Sequence, residues 1–343
     1  MIDIDRPDIK FALNAVRQAS QLVKMIQVKM VSPALTKDDR SPVTIADFAS
    51  QALVACLLER EFPGDVLVAE EDASRLRPGL VDRAAQPLSA LEQVTRFCER
   101  FIPGADPFTV CDWIDRGAAQ PSRRFWVLDP IDGTMGFLRG DQYAVALALV
   151  VDGQVVIGVL GCPNLLIDGA SAGTRLKPHL GGAGSLLLAV RGQGAWITPL
   201  DQPGQFEQVQ VSQRADPAQA RLLRSFESGH TNVDQIDDFA HALGIHAEPV
   251  RMDSQAKYAV LAAGGGEMLL RLLSASRPDY CEKIWDQAAG SLLVQEAGGT
   301  ITDLDGKPLD FTAGRSLHNN RGILASNSLL HPAALQALRE VGA

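Results

Sequence analysis

The segment Trp126–Thr134 constrains the fold more than any other part of the chain. It reads Trp-Val-Leu-Asp-Pro-Ile-Asp-Gly-Thr, so an apolar run is followed by two aspartates, Asp129 and Asp132, and a glycine. We predict a strand that ends at this motif and a helix that opens at Gly133-Thr134. Two carboxylates beside an apolar core require positive charge nearby, and a hard divalent cation is the obvious candidate.

The predicted helix start adds an anion site to the acidic motif. Backbone N–H groups in the first turn of a helix have no partner within the helix, and they bind anions. Carboxylates, cations and such a helix end together indicate a metal-dependent phosphoryl-transfer centre. Asp-Pro and Asp-Gly can also simply mark a turn, and for either dipeptide alone a loop is the better interpretation.

The composition is that of a globular protein with room for two cores. The chain has 343 residues, of which 46% are hydrophobic and 21% are charged. Its formal charge of -9 gives no basic footprint for long nucleic acid, so any nucleotide partner should be small. The start lacks a secretion signal and no apolar run is long enough for a bilayer, so we expect a cytoplasmic protein. The five cysteines lack metal or redox spacing and are interpreted as reduced core thiols.

Hydrophobic periodicity predicts an alternation of helices and strands. In the first half we predict helices over 9–26 and from Thr44, a strand at 66–69, a helix-like patch within a surface excursion over 84–124, a hairpin of 143–151 with 154–160, and a strand at 186–190. After a polar connection at 201–213 we predict helices at 233–243, 254–263 and 284–297, and strands at 268–273, 300–302 and 322–325. We therefore expect an N-terminal half, residues 1–210, and a C-terminal half, residues 211–343.

Three further acids are predicted at the ends of elements. Glu70 follows a strand, Asp47 closes a Thr44–Asp47 capping box in a first helical turn, and Asp286 lies in the first turn of the helix at 284–297. Each taken singly has a structural interpretation, as a helix cap or a solvated side chain. Together with Asp129 and Asp132 they form an oxygen-only set, which favours Mg²⁺ over zinc.

Six segments of the chain match the motifs of one known family, almost from end to end. They are Ser41–Asp47, Val68–Glu71, Trp126–Asp141, Gly161–Asn164, Asp253–Tyr258 and Glu282–Asp286. The chain resembles the 3'(2'),5'-bisphosphate nucleotidases of the inositol monophosphatase-like superfamily, which are Mg²⁺-dependent, lithium-sensitive phosphatases. The resemblance implies an α/β fold, a layered αβαβα sandwich of two α/β halves with the site between them, and this agrees with the predicted element order.

By resemblance, two or three Mg²⁺ ions would share one set of ligands, with Asp129 bridging two of them. The implied ligands are Glu70, Asp129, the carbonyl of Ile131, Asp132 and Asp286. The implied catalytic pair is Asp47 and Thr134, which would orient and deprotonate the attacking water. Bound metals acidify such a water and stabilise the leaving oxygen during in-line displacement.

On the substrate side, the resemblance assigns a second set of residues to the nucleotide. They are Gly133, Thr134, His230, Ser254, Lys257, Arg271 and Asp286. Lys257 and Arg271 would offer charge-assisted hydrogen bonds to the phosphate that is not cleaved, which an inositol monophosphate could not fully use. Without the resemblance, a solvated face is the better interpretation of these two cations.

Several positions depart from the family pattern. Met135 stands where lysine is common, Val233 where a second histidine often follows His230, and Gln287 where histidine is frequent. None of these departures removes an implied metal ligand. The segment Leu272–Tyr280 is slightly longer than usual, which bears on the assignment of Arg271.

The resemblance implies hydrolysis of adenosine 3',5'-bisphosphate to AMP and phosphate, a step that would serve sulfur metabolism. It leaves 3'-phosphoadenylyl sulfate open as a second substrate. Two alternatives also stay open: an inositol (poly)phosphate phosphatase with the same metals, and a nucleotide sensor that binds without turnover. No membrane partner is expected, and the sequence does not decide between a monomer and a homodimer.

Overall fold

A computed structural model gives the architecture of most of the chain. The described residues are 2–30, 41–77, 89–168, 175–178, 184–202, 204–226, 233–273, 277 and 279–343. Their helices are α1 (Pro7–Met30), α2 (Ser41–Glu61), α3 (Ala90–Cys98), α4 (Pro107–Asp115), α5 (Thr134–Arg139), α6 (Val233–Ala242), α7 (Ala256–Ala262), α8 (Ala288–Glu296) and α9 (His331–Glu340).

The strands form two main sheets and one small ribbon. They are β1 (Val66–Ala69), β2 (Arg124–Asp132), β3 (Ala144–Val151), β4 (Gln154–Cys162), β5 (Leu165–Asp168), β6 (Arg175–Pro178), β7 (Ser185–Val190), β8 (Gly194–Pro199), β9 (Glu207–Val209), β10 (Leu222–Arg224), β11 (Val250–Arg251), β12 (Met268–Arg271), β13 (Thr300–Thr302) and β14 (Ile323–Ser326). The large sheet has the order β1-β2-β3-β4-β7-β8-β9, and the smaller sheet has the order β11-β10-β12-β14-β13. In the large sheet β1 pairs with β2 in parallel, and the other neighbours are antiparallel.

Alternate side chains of each sheet enter different cores, which stacks the molecule in layers. In β2, Trp126 and Leu128 pack in the core with α1 and α2, whereas Val127 packs in the core with α7 and α8. In β12, Leu269 joins that same middle core, while Met268 packs on the opposite face with α6 and α9. The order is therefore helices, large sheet, helices, small sheet, helices, which confirms the predicted αβαβα sandwich.

Most predicted elements are confirmed, and the hairpin is the sharpest case. β3 and β4 pair in antiparallel register from Val151 and Gln154. The two turn residues have positive φ, 49° at Asp152 and 75° at Gly153, as the tight hairpin turn requires. The helix predicted at Gly133-Thr134 is also confirmed, as α5, with Gly133 as its N-cap at φ 90°.

Three predicted boundaries near the acids are wrong. β2 runs through the acidic motif to Asp132, with a register shift between Asp129 and Asp132 where Pro130 lacks an N–H for the ladder. α2 begins at Ser41, because Pro42 suits a first helical turn, so the Thr44 capping box is wrong and Asp47 lies in the second turn. α8 begins only at Ala288, after an N-cap at Gln287, so Asp286 precedes the helix.

Three other interpretations also need correction. The helix-like patch within 84–124 is confirmed as α3, but the excursion also contains α4, which buries Val110, Cys111 and Ile114 behind an Asp106 N-cap. The connection at 201–213 contains β9, which extends the large sheet. Four cysteines are buried free thiols as predicted, but the free thiol of Cys281 is partly exposed, so its interpretation as a core thiol is wrong.

No helix within the described ranges combines the length and apolar character that a bilayer crossing requires.

Candidate active site

One cavity of about 600 Å³ opens between the two sheets, beside α5 and α7. Ten predicted site residues line it: Glu70, Asp129, Ile131, Asp132, Gly133, Thr134, Ser254, Lys257, Arg271 and Asp286. Asp47 is 6% exposed and lies behind this wall. His230 and its segment lie outside the described residues, so its assignment stays a prediction. A second cavity, of about 410 Å³, lies between α1 and Leu200-Asp201 and contains no predicted site residue.

Chain direction explains why the acids meet. β1 and β2 are adjacent and parallel, with Ala69 opposite Leu128, so Glu70 and Asp129 follow at the same edge of the sheet. The register shift in β2 carries the chain past Ile131 to Asp132. Asp286 approaches from the segment that precedes α8, which belongs to the middle layer.

Burial and mutual repulsion raise the pKa values of the two central carboxyls. Asp129 is 2% exposed, and burial holds its pKa well above the ordinary value, with Glu70 and Asp132 adding repulsion. The Glu70 side chain opens into the cavity, whose walls still limit its contact with water. Burial together with the charges of Glu71 and Asp132 raises the pKa of Glu70 to about 7, against an opposing effect of Lys283.

The same forces act on Asp47 and Asp286. Burial and then the charges of Glu71 and Glu70 raise the pKa of Asp47 well above its ordinary value. Burial raises the pKa of Asp286 in the same way, although Arg271 opposes the shift. Negative charge at this site thus exceeds what the nearby cations neutralise.

Contacts between the start of α7 and the end of β2 position Asp132. The Gln255 N–H, at the start of α7, donates to Asp132 Oδ2 at 2.5 Å. The Gln255 side chain donates to the Trp285 carbonyl at 2.9 Å and accepts from the Gly290 N–H at 3.2 Å. Gln255 therefore ties Asp132 to the segment that carries Asp286, a role that the sequence analysis missed.

Gly133 permits the close approach of α5 and α7. A Cβ at Gly133 would lie 2.7 Å from the Cβ of Ser254, and φ at Gly133 is 90°. Ser254 itself has φ 70°, which is unusual for a residue other than glycine. Its hydroxyl accepts from the Ala256 N–H at 3.1 Å, and this bond supports the strained turn at the cavity wall.

Lys257 and Arg271 are two cations in the cavity wall, and each is fixed by a neighbouring side chain. Lys257 Nζ donates to Ser225 Oγ at 2.9 Å, and burial lowers the pKa of Lys257 to about 8 despite the attraction of Asp132. Arg271 Nε lies 2.9 Å from Glu282 Oε2, and Arg271 Nη2 lies 3.9 Å from Asp286 Oδ2. Burial alone would lower the pKa of Arg271, but Glu282 and Asp286 outweigh it and raise that pKa.

Gln287 has a defined role although it departs from the family pattern. It is fully buried, accepts from the Tyr258 hydroxyl and donates to Glu282 Oε2 at 2.8 Å. It therefore supports the carboxylate that orients Arg271. Met135 lines the cavity and is 41% exposed, and the side chain of Val233 is not described.

Arg315 links the end of β1, next to Glu70, to the segment before α8. Its guanidinium donates to the carbonyls of Ala69, of Gly117 at 2.8 Å and of Ala119 at 2.9 Å. It also lies over the Trp285 ring, with 4.9 Å between its Cζ and the ring centroid. Since Ala69 precedes Glu70 and Trp285 precedes Asp286, one side chain fixes the backbone beside two acids. No local pattern around Arg315 indicates this role.

The candidate ligand atoms are of the chemical type that a hard divalent cation binds. All of the candidate ligands are oxygen atoms, and raised pKa values indicate carboxylates in need of positive charge. Within the described ranges, however, no three His, Cys, Asp or Glu side chains converge closely enough to hold a metal ion. Asp132 instead accepts from Gln255, and Asp286 faces Arg271.

Comparison with known proteins decides the family. A model of the inositol monophosphatase family matches residues 5–343. The chain belongs to the inositol monophosphatase family. Among solved structures, IMPase from Thermotoga maritima superposes with a TM-score of 0.61 at 20% identity, covering 98% of both chains. An inositol monophosphatase from Zymomonas mobilis gives a TM-score of 0.62 at 18% identity, covering 99% of this chain and 100% of that one.

Curated relatives within the inositol monophosphatase family point to one branch. A 3'(2'),5'-bisphosphate nucleotidase from Emericella nidulans is 40% identical, covering 95% of this chain and 96% of the relative. Proteins of the same name from Oryza sativa, at 40%, and Schizosaccharomyces pombe, at 39%, each cover 97% of this chain, which covers 94% and 95% of them. The resemblance to bisphosphate nucleotidases is thereby confirmed.

We expect Arg315→Lys to lower the free energy of unfolding by about 1–3 kcal/mol, because lysine cannot reach three carbonyls in one fork. Urea titration of the purified protein measures this change. Arg123→Lys is the matched control, since Arg123 is 85% exposed and pairs only with Asp152 among its described ion pairs. Equal midpoints for the two variants would contradict the assigned bridging role.

The raised pKa of Glu70 predicts a pH-dependent stability in chelator-treated protein. Its pKa is about 7 in the folded chain and 4.5 ordinarily, so between these values the folded state keeps a proton that the unfolded state loses. The unfolding free energy should therefore fall as pH rises through this window. In urea titrations across this pH window, Glu70→Gln should reduce the decrease in unfolding free energy. Glu99→Gln, on an exposed turn, should leave that decrease unchanged. An unchanged slope in Glu70→Gln would refute the shift.

Proposed function

We propose that this protein is a phosphoric monoester hydrolase that removes the 3'-phosphate of adenosine 3',5'-bisphosphate and releases AMP and phosphate. The observation that carries the proposal is the joint lining of one cavity by acids and by the held cations Lys257 and Arg271. The names of the curated relatives support the same substrate. An acidic wall faces the phosphate to be cleaved, and a basic wall faces the phosphate that is kept.

We propose Mg²⁺ as the cofactor, held by Glu70, Asp129, the Ile131 carbonyl, Asp132 and Asp286. When bound, the ions would acidify the attacking water and neutralise charge on the phosphate and on the leaving ribose oxygen. Asp129 is central to this set, since its pKa responds to Glu70, Asp132, Asp286 and Asp47 alike. The number of ions, two or three, is part of the proposal.

Asp47 is the proposed proton acceptor for the attacking water. Burial raises the pKa of Asp47, so its carboxylate takes a proton more readily than the carboxylate of an exposed aspartate does. Thr134, at the first position of α5, is exposed to the cavity and would orient the same water. Gly133 lets the start of α5 lie close to Ser254, and the N–H groups at the start of α5 are proposed to bind the phosphate.

Lys257 and Arg271 would bind the phosphate that stays on the product. Each is already held by a neighbour, Ser225 and Glu282 respectively, so little side-chain entropy is lost on binding. An inositol monophosphate would leave these buried cations without a second phosphate, which disfavours it. His230 is proposed as a further nucleotide contact, 3'-phosphoadenylyl sulfate as a second substrate, and the cytoplasm as the location.

We expect wild-type protein with Mg²⁺ to release phosphate from adenosine 3',5'-bisphosphate faster than from inositol 1-phosphate or inositol 1,4-bisphosphate. Asp47→Asn should lower kcat by about 10²–10⁴-fold, because that range is typical of a lost general base. The assay is colorimetric phosphate release at saturating substrate.

Asp112→Asn is the control for this assay, since the Asp112 side chain is 73% exposed and does not line the cavity. Full activity in Asp47→Asn would refute the role of Asp47. Faster turnover of an inositol phosphate than of the nucleotide would overturn the proposed substrate.

A further inference from the structure

Phe226 is an aromatic ring left half open in the wall of the active-site cavity. It is 52% exposed, and it lines the same cavity as Lys257 and Arg271. Leu222 and Leu270 contribute apolar surface to that wall. A large apolar side chain exposed inside a charged cavity offers a contact surface for an apolar part of a ligand.

Both the ring and the backbone of Phe226 are held in place by one buried carboxylate. Asp253 is 6% exposed, accepts from the Phe226 N–H at 3.1 Å and pairs with the Arg139 guanidinium. Arg139 in turn lies over the Phe226 ring, with 5.6 Å between its Cζ and the ring centroid. Because Arg139 covers one face of the ring, the exposed area lies on the other face and the edge. These contacts fix the ring before a ligand binds.

The aromatic ring and the phosphate-binding cation are connected through adjacent residues. Ser225 precedes Phe226 in the chain and accepts from Lys257 Nζ at 2.9 Å. A ligand that placed an anionic group at Lys257 would therefore have its neighbouring part beside Phe226. In a nucleotide the part beside Phe226 would be the flat aromatic base. In a cyclitol phosphate that part carries only hydroxyl groups.

We propose that Phe226 is a specificity-determining residue whose open face stacks on the nucleobase, with Arg139 and Asp253 as the residues that position it. The inference rests on the proposed nucleotide substrate and deepens it, since it gives this cavity a physical means of selecting nucleoside bisphosphates over sugar and cyclitol bisphosphates. Base-to-aromatic stacking is strong enough to change affinity about tenfold or more.

The experiment compares two ligands that differ only in the base. Adenosine 3',5'-bisphosphate and its abasic analogue, 1-deoxyribose 3,5-bisphosphate, are assayed with wild type, Phe226→Leu, Phe226→Tyr and the control Phe108→Leu. Phe108 is 56% exposed and does not line the cavity. KM and kcat are measured with Mg²⁺, and equilibrium binding is measured by calorimetry in chelator, where no turnover is expected.

Phe226→Leu should raise KM and Kd for the nucleotide about tenfold or more, leave kcat within about twofold and leave both constants for the abasic ligand unchanged. Phe226→Tyr and Phe108→Leu should behave as wild type. An equal change for both ligands, or no change for either, overturns the inference. Binding that depends on Phe226 without phosphate release would support the inference while refuting the proposed hydrolysis, and hydrolysis that ignores Phe226 would do the reverse.

Discussion

The repulsion among buried carboxylates is the constraint on which the rest of the structure depends. Asp129 lies at the end of a parallel strand pair, almost without solvent, and Glu70, Asp132, Asp286 and Asp47 all act on it. Such a set costs folding free energy unless positive charge offsets it. An arrangement that disfavours folding is kept where it serves binding or catalysis, and a phosphate-processing metal site is the use that best fits oxygen-only donors.

Two residues link the large sheet to the segment before α8 against this repulsion. Gln255 links Asp132 to the segment before α8, and Arg315 links the end of β1 to the Trp285 ring. Gln255 acts through its backbone N–H and its side-chain amide, and Arg315 acts through three backbone carbonyls and the Trp285 ring, so neither forms an ion pair with these acids. The cavity therefore keeps its acids, and Lys257 and Arg271 line the same cavity, with Arg271 Nη2 lying 3.9 Å from Asp286 Oδ2.

The alternation of helices and strands and the acidic motif could be predicted from the sequence because their signals are local, whereas the layered sandwich was implied by the family resemblance. Continuous apolar runs such as β3, with the Asp152-Gly153 turn, identify the hairpin, and the Asp129–Asp132 spacing identifies the acids. Contacts between distant positions had no such signal. Arg315 donates to Ala69 across 246 positions, and Lys283 forms an isolated antiparallel bridge with Ser316. The resemblance supplied residue roles, but not the positioning roles of Gln255, Gln287 and Arg315.

The central claim is that these acids share metal ions when the protein is at work. Anomalous diffraction from a crystal soaked with Mn²⁺ and AMP tests it most directly, because manganese takes the same oxygen ligands and its position can be located independently of the protein phases. The account predicts at least two anomalous peaks, with Asp129 within coordinating distance of both and with Glu70 and Asp286 each coordinating one. Peaks confined to surface carboxylates, with Asp129 and Asp286 uncoordinated, would contradict it.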